Sequence, residues 1–75
     1  MEFETLKGII ADQLGISEDE ITMDSSFEND LGADSIDLVE IVMAIEAKYG
    51  FEIPEEEVEY IDTVSKAVDY IKAHA

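Results

Sequence analysis

The chain has 75 residues, with 20 acidic residues against four basic ones and a formal net charge of −16. A chain of this length supports one small core, so we expect residues 1–75 to form a single domain. The charge argues against nucleic acid as a partner, because binding to phosphates depends on lysine and arginine. Basic protein surfaces are the partners that such a charge attracts.

The sequence also limits the chemistry and the location of the protein. It contains no cysteine, so neither a disulfide nor a protein thiol is available. No stretch is long and apolar enough for a bilayer, and the first residues lack the basic and apolar regions of a signal peptide. We therefore expect a cytoplasmic protein without membrane insertion.

The first third of the chain combines a helix with a long connection. Apolar residues at helical spacing predict a helix from about Glu2 to Leu14. The connection Ile16–Asp34 is too polar and aperiodic for a continuous helix, but Ser17 and Glu20 form an S-x-x-E pattern that predicts a short helical turn. We expect Phe27 to pin this connection onto the core.

A second helix is predicted over Ser35–Tyr49, between the capping pair Asp34-Ser35 and a stop at Gly50. It carries two apolar stripes, although one is enough to face a core. The stripe that we assign to the core consists of Leu38, Ile41, Val42, Ile45 and Tyr49. The other stripe consists of Ile36, Val39 and Met43, interleaved with Asp37, Glu40 and Glu46. This second stripe is either further core or an exposed docking strip with an acidic rim, as in many protein interfaces.

The last third of the chain predicts two more helices. An extended link leads to Pro54, which suits the first position of a short third helix. The fourth helix is predicted to begin near Thr63, and its final turn, Lys72–Ala75, to fray. Hairpin turn signals are missing from the sequence. The predicted fold is all-α, a four-helix bundle with a long first loop and a short third helix.

The residues provide no catalytic or metal-binding constellation. His74 is the only histidine, and a Ser–His pair needs a third group that orients the base. An EF-hand alignment on Gly32 places Phe27 and Leu38 where acidic ligands are required, so that pattern fails. We expect neither an enzyme nor a dedicated metal site. Loose association of divalent cations with clustered carboxylates stays open.

The segment Leu31–Glu40, with the sequence LGADSIDLVE, resembles the Asp-Ser-Leu motif of acyl carrier proteins. The resemblance covers nearly the whole chain, including Ile53-Pro54 and Thr63-Val64. One departure is Ile36, where the family usually has leucine. The resemblance implies that Ser35, beside Asp34, carries 4′-phosphopantetheine, attached by a phosphopantetheinyl transferase.

The resemblance also implies a function and a set of partners. The chain would carry acyl intermediates as thioesters during fatty acid biosynthesis, as a monomer that meets synthesis enzymes and acyltransferases at their basic docking surfaces. The implied partner-binding residues are Ile36, Asp37, Val39, Glu40, Met43 and Glu46. An acyl chain withdrawn between the helices would be lined by Phe27, Ile45, Ile61 and Ala67, which could equally be only core.

Two alternatives to this function stay open at this point. One is a polyketide, peptidyl or D-alanyl carrier, which shares the Asp-Ser site and differs in its loading enzyme. The other is an acidic protein-interaction module without a prosthetic group.

Overall fold

The computed structural model describes residues 2–74, which form four α-helices and no β-strand. The helices are α1 (Glu2–Leu14), α2 (Ser35–Tyr49), α3 (Glu55–Val58) and α4 (Val64–His74). A single 3₁₀ turn, Glu18–Glu20, lies in the connection between α1 and α2. The prediction of an all-α bundle with a short third helix is confirmed. None of the helices in this described part has the length and apolar character that crossing a membrane requires.

The core lies where α1 packs against α2 and α4. Its most deeply buried side chains come from all three long helices: Leu6, Ile10, Ile41, Val64, Val68 and Ile71. Each side chain of this kind contributes about 1.5–3 kcal/mol by leaving water. These three helices therefore form the frame on which the connections and α3 are placed.

The long connection between α1 and α2 is fixed to the start of α4. Phe27 is 2% exposed, so it pins the connection onto the core as predicted. Backbone N–H groups donate across the two segments from Phe27 to Asp62 O at 3.1 Å, from Val64 to Ser25 O at 3.0 Å and from Ser65 to Met23 O at 2.9 Å. These bonds, which surround the isolated bridge between Ser26 and Thr63, fix the connection to the start of α4.

Two local predictions are wrong. Pro54 has a ψ of 147°, which is extended, so it precedes α3 instead of being its first residue. Helix α4 continues to His74, whose ring stacks on Tyr70 with 4.0 Å between the ring centroids. The stacking gives the His74 side chain a partner within the helix, which favours helical structure in the turn predicted to fray. Ala75, the end of the predicted frayed turn, lies outside the described residues.

Candidate functional site

The start of α2 is built by a reciprocal pair of hydrogen bonds. Gly32 turns the chain with a φ of +70°, a conformation that glycine adopts without strain. The Asp37 N–H donates to Asp34 Oδ1 at 2.9 Å, and the Asp34 N–H donates to Asp37 Oδ2 at 3.3 Å. Asp34 is therefore the cap of the predicted pair, and it leaves the neighbouring serine hydroxyl uncommitted.

Ser35 is the first residue of α2, and its side chain is exposed. Its hydroxyl takes part in none of the side-chain hydrogen bonds found among residues 2–74. The Asp37 N–H donates to the Asp34 side chain and the Leu38 N–H donates to the Asp34 backbone carbonyl, whereas the N–H groups of Ser35 and Ile36 have no partner in that part of the chain. Free N–H groups at a helix start favour an anion, so this position suits a phosphate joined to the serine oxygen.

A cavity of about 580 Å³ opens beside Ser35. Its walls come from the loop before α2, the first two turns of α2, the end of α3 and the segment that follows α3. Two residues of the predicted acyl pocket, Phe27 and Ile61, line this cavity, whereas Ile45 and Ala67 are core residues, each 2% exposed, away from its walls. An exposed hydroxyl next to a partly apolar cavity fits a covalently attached phosphate that bears a flexible chain.

The second apolar stripe of α2 lies on the surface. Ile36, Val39 and Met43 are 72%, 52% and 61% exposed, which excludes the alternative that they belong to the core. Glu40 beside them is also exposed. The structure thus leaves an apolar strip with acidic neighbours along α2, running away from Ser35. Its use in docking stays a prediction.

The remaining two acidic residues of that predicted surface have partners inside the molecule. Asp37 belongs to the capping box, and Glu46 Oε2 accepts a hydrogen bond from the Ile53 N–H at 2.7 Å. Sequence reasoning missed the Glu46 contact because it joins a helix to the link that follows it, seven residues away. The only signal available was that Glu46 lies one turn before the glycine that ends α2.

One acidic residue that lines the cavity has a shifted pKa. A hydrogen bond from Lys66, with 3.0 Å between its Nζ and Asp62 Oδ1, lowers the pKa of Asp62, a residue that lines the cavity. Farther away, burial raises the pKa of the Tyr70 phenol, and Glu57 adds to that effect. Across residues 2–74, no three histidine, cysteine, aspartate or glutamate side chains are grouped so as to hold a metal ion.

Comparison with known proteins identifies the family. Residues 4–71 match the family model described as the phosphopantetheine attachment site. An acyl carrier protein from Clostridium acetobutylicum is 57% identical over 74 residues, which cover 99% of this chain and 96% of that protein. The match excludes an interaction module without a prosthetic group, and it confirms the resemblance that the Asp-Ser motif indicated. The chain belongs to the acyl carrier proteins, which bear phosphopantetheine and are carriers, not enzymes.

Proposed function

We propose that this chain, acting as one domain over residues 1–75, carries acyl intermediates of fatty acid biosynthesis on a 4′-phosphopantetheine arm attached to Ser35. The observation that carries this proposal is the position of the Ser35 side chain, which is exposed at the start of a 15-residue helix and stands beside a cavity. The arm supplies a terminal thiol, which a chain without cysteine lacks, to hold the acyl group as a thioester.

The protein's own residues prepare the attachment. Asp34 and Asp37 form the capping box, so the Ser35 hydroxyl is not used as a cap. In the transfer, the Ser35 oxygen would bond to the phosphorus of coenzyme A that bears pantetheine, the bond from that phosphorus to the adenosine 3′,5′-bisphosphate part would break and release that part, and the hydroxyl proton would pass to a base of the transferase or to water. The two unpartnered N–H groups of the first turn and the helix dipole stabilise the negative charge of the resulting phosphodiester. The acidic residues nearby oppose that charge, and their exposure to water weakens the repulsion.

The cavity beside Ser35 supports a second role, the shelter of an acyl chain. Phe27 and Ile61 give this cavity apolar walls, and Ile45 and Ala67 lie in the core. A chain that goes beyond the cavity would have to separate α2 from the segment after α3 to reach those two residues. We propose that all four line the pocket of a loaded carrier, the last two only after such a movement.

The exposed strip on α2 supports brief docking of partner enzymes. We propose that the phosphopantetheinyl transferase, the fatty acid synthesis enzymes and the acyltransferases contact Ile36, Asp37, Val39, Glu40, Met43 and Glu46. Acidic residues speed the encounter with basic surfaces, and a small apolar strip keeps the complex weak enough to release. The adaptable side chain of Met43 suits a surface that meets several partners. The chain would act as a monomer in the cytoplasm.

The attachment is tested by intact mass after incubation with coenzyme A and a phosphopantetheinyl transferase. The original chain should gain the mass of one phosphopantetheine, and Ser35→Ala should gain none. Ser17→Ala is the matched control, because Ser17 is also an exposed serine at a helical turn and its loss should leave modification intact. Full modification of Ser35→Ala would move the attachment to another residue.

The type of carrier is tested by the group found on the arm of protein purified from its own cells. A simple acyl thioester supports fatty acid synthesis, as the acidic central helix and the Gly-Ala-Asp-Ser context favour. An aminoacyl, D-alanyl or polyketide group would contradict that assignment and leave the attachment to Ser35 in place.

A further inference from the structure

Helix α3 is tied to α2 by one carboxylate. Glu46, in the last turns of α2, accepts the Ile53 backbone N–H at 2.7 Å, a distance typical of hydrogen bonds to ionised groups. Glu46 is half-buried and Ile53 is 7% exposed, so the contact is partly shielded from water. The bond fixes the backbone two residues before α3 begins.

Helix α3 itself has little that holds it in place. It contains four residues, none of them buried, and Pro54 provides no side-chain cap. A helix this short is not stable alone, so its position depends on the residues that flank it. The flanking anchors are Ile53 before it and Ile61 after it, which are 7% and 6% exposed.

The position of α3 affects two cavities. Besides the cavity next to Ser35, a second of about 500 Å³ lies between α2 and α3. Val39 of α2 and Val58 of α3 line both cavities, so they lie where the two cavities meet. Movement of α3 away from α2 would shift Val58 relative to Val39 and change the shape of both cavities.

We propose that Glu46 is a positioning residue whose carboxylate holds the start of α3 beside α2 and thereby fixes the position of Val58 relative to Val39 where the two cavities meet. Glu46 then acts inside the molecule, besides any charge that it offers to a partner. The hold on α3 is a property of the chain itself. Its consequence, control of how far an acyl chain enters between the helices, rests on the proposed function.

The test is amide hydrogen exchange, followed by NMR, on the full chain without its prosthetic group. The variants are Glu46→Ala, which removes the acceptor, and Glu46→Gln, which keeps a carbonyl oxygen but removes the charge. In Glu46→Ala the amides of Ile53, Val58 and Ile61 should exchange about tenfold faster, the factor expected for loss of a bond to a charged group. Glu46→Gln should exchange at an intermediate rate, faster than the original chain and slower than Glu46→Ala, because a neutral acceptor keeps the hydrogen bond but weakens it.

Glu40→Ala and Glu40→Gln are the matched controls. Glu40 is an exposed glutamate on the same helix, and no side-chain hydrogen bond of Glu40 is found within residues 2–74, so neither change should alter exchange near α3. Amides of α1 and α4 report on global unfolding. If the amides of Glu46→Ala lose their protection from exchange throughout the chain, Glu46→Asp is used as the test variant in its place. Its side chain keeps the charge but is one methylene too short to reach the Ile53 N–H.

Unchanged exchange around α3 in Glu46→Ala or Glu46→Asp would overturn the proposal. Equal acceleration in Glu46→Ala and Glu46→Gln would also overturn it, since charge and not the hydrogen bond would then matter. Neither result depends on Ser35, so failure of this proposal and failure of phosphopantetheine attachment are seen in separate measurements.

Discussion

Helices α4 and α2 use their apolar residues differently. Helix α4 buries its whole apolar face, Val64, Ala67, Val68 and Ile71, at 2% exposure or less. Helix α2 buries Ile41, Val42 and Ile45 but leaves Ile36, Val39 and Met43 in water. The fold thus buries the apolar face of α4, whereas it buries only one of the two apolar stripes of α2.

This difference distinguishes the helix faces that stabilise the fold from the face of α2 that is available to partners. Single exposed apolar residues are ordinary on proteins. The three on α2 are spaced three and four residues apart, so they lie on one side of the helix and form a strip. The strip begins next to Ser35, the proposed attachment residue. An enzyme that acts on a group attached to Ser35 would therefore contact the strip.

The largest expected effect comes from truncating one side chain on the buried face of α2 and comparing it with one on the exposed face. Ile41→Ala should cost about 2–5 kcal/mol of unfolding free energy, because it opens a cavity in the core. Met43→Ala should change that free energy by no more than about 0.5 kcal/mol, because Met43 is 61% exposed. Urea unfolding followed by circular dichroism measures both. If Ile41→Ala does not fold, Ile41→Val should still cost about 0.5–1.5 kcal/mol. Equal losses on the two faces would contradict the division.

Removing the cap of α2 should have a smaller effect. Asp34→Ala deletes the acceptor for the Asp37 N–H and should cost about 1 kcal/mol of unfolding free energy. Asp34→Asn keeps a side-chain acceptor and serves as the control, with an expected loss below that of the alanine variant. Urea unfolding again provides the measurement. A cap that contributes nothing would leave both variants with the stability of the original chain.

Reversing a charge on the exposed side of α2 should weaken docking, not folding. Glu40→Lys should reduce affinity for a fatty acid synthesis enzyme with a basic docking surface by about fivefold at low salt. The loss should shrink at high salt, because ions screen exposed charges. Asp69→Lys makes the same charge change at an exposed position of α4 and should have less effect. Fluorescence titration at two salt concentrations separates the outcomes, and equal losses from both variants would contradict docking on α2.

The smallest expected effect concerns the ion pair at the start of α4. Lys66→Gln should raise the pKa of Asp62 toward its usual value, because the hydrogen bond from Lys66 is what lowers it. A carboxyl pKa that is lower in the folded state than in the unfolded state stabilises the fold at pH values above the unfolded pKa. This stabilisation is lost as the pH falls through the lowered value. Global stability should hardly change, since both side chains are exposed. An NMR titration of Asp62 measures the shift, with Lys72→Gln as the control. An unchanged pKa in Lys66→Gln would contradict the assigned cause.

Local patterns predicted much of the fold. The bounds of α1 and α2 were predicted correctly, because helical spacing, caps and terminating glycines depend on residues that are close together in the sequence. The capping box of Ser17 and Glu20 was predicted for the same reason and is present in the structure. The Asp34-Ser35 motif was also visible in the sequence, although it did not tell which of the two residues provides the cap.

Contacts between distant segments were not predictable in this way. Nothing near Glu46 indicated that its carboxylate accepts from Ile53, and nothing near Ser26 indicated its pairing with Thr63. The stacking of His74 on Tyr70 was missed because chain ends are usually assigned to fraying. Such contacts depend on where other segments bring the backbone, and a pattern within one segment carries no information about that.

The sequence by itself determined the class of fold, the start of α2 and the serine placed there, because these depend on residues within a few positions of each other. Only the tertiary structure decided that the second apolar stripe of α2, Ile36, Val39 and Met43, is exposed and is not further core, since that depends on where the other segments pack. It also decided that Phe27 and Ile61, but not Ile45 and Ala67, line the cavity beside Ser35. A cavity exists only where separate segments meet, so no single stretch of the chain can specify its walls.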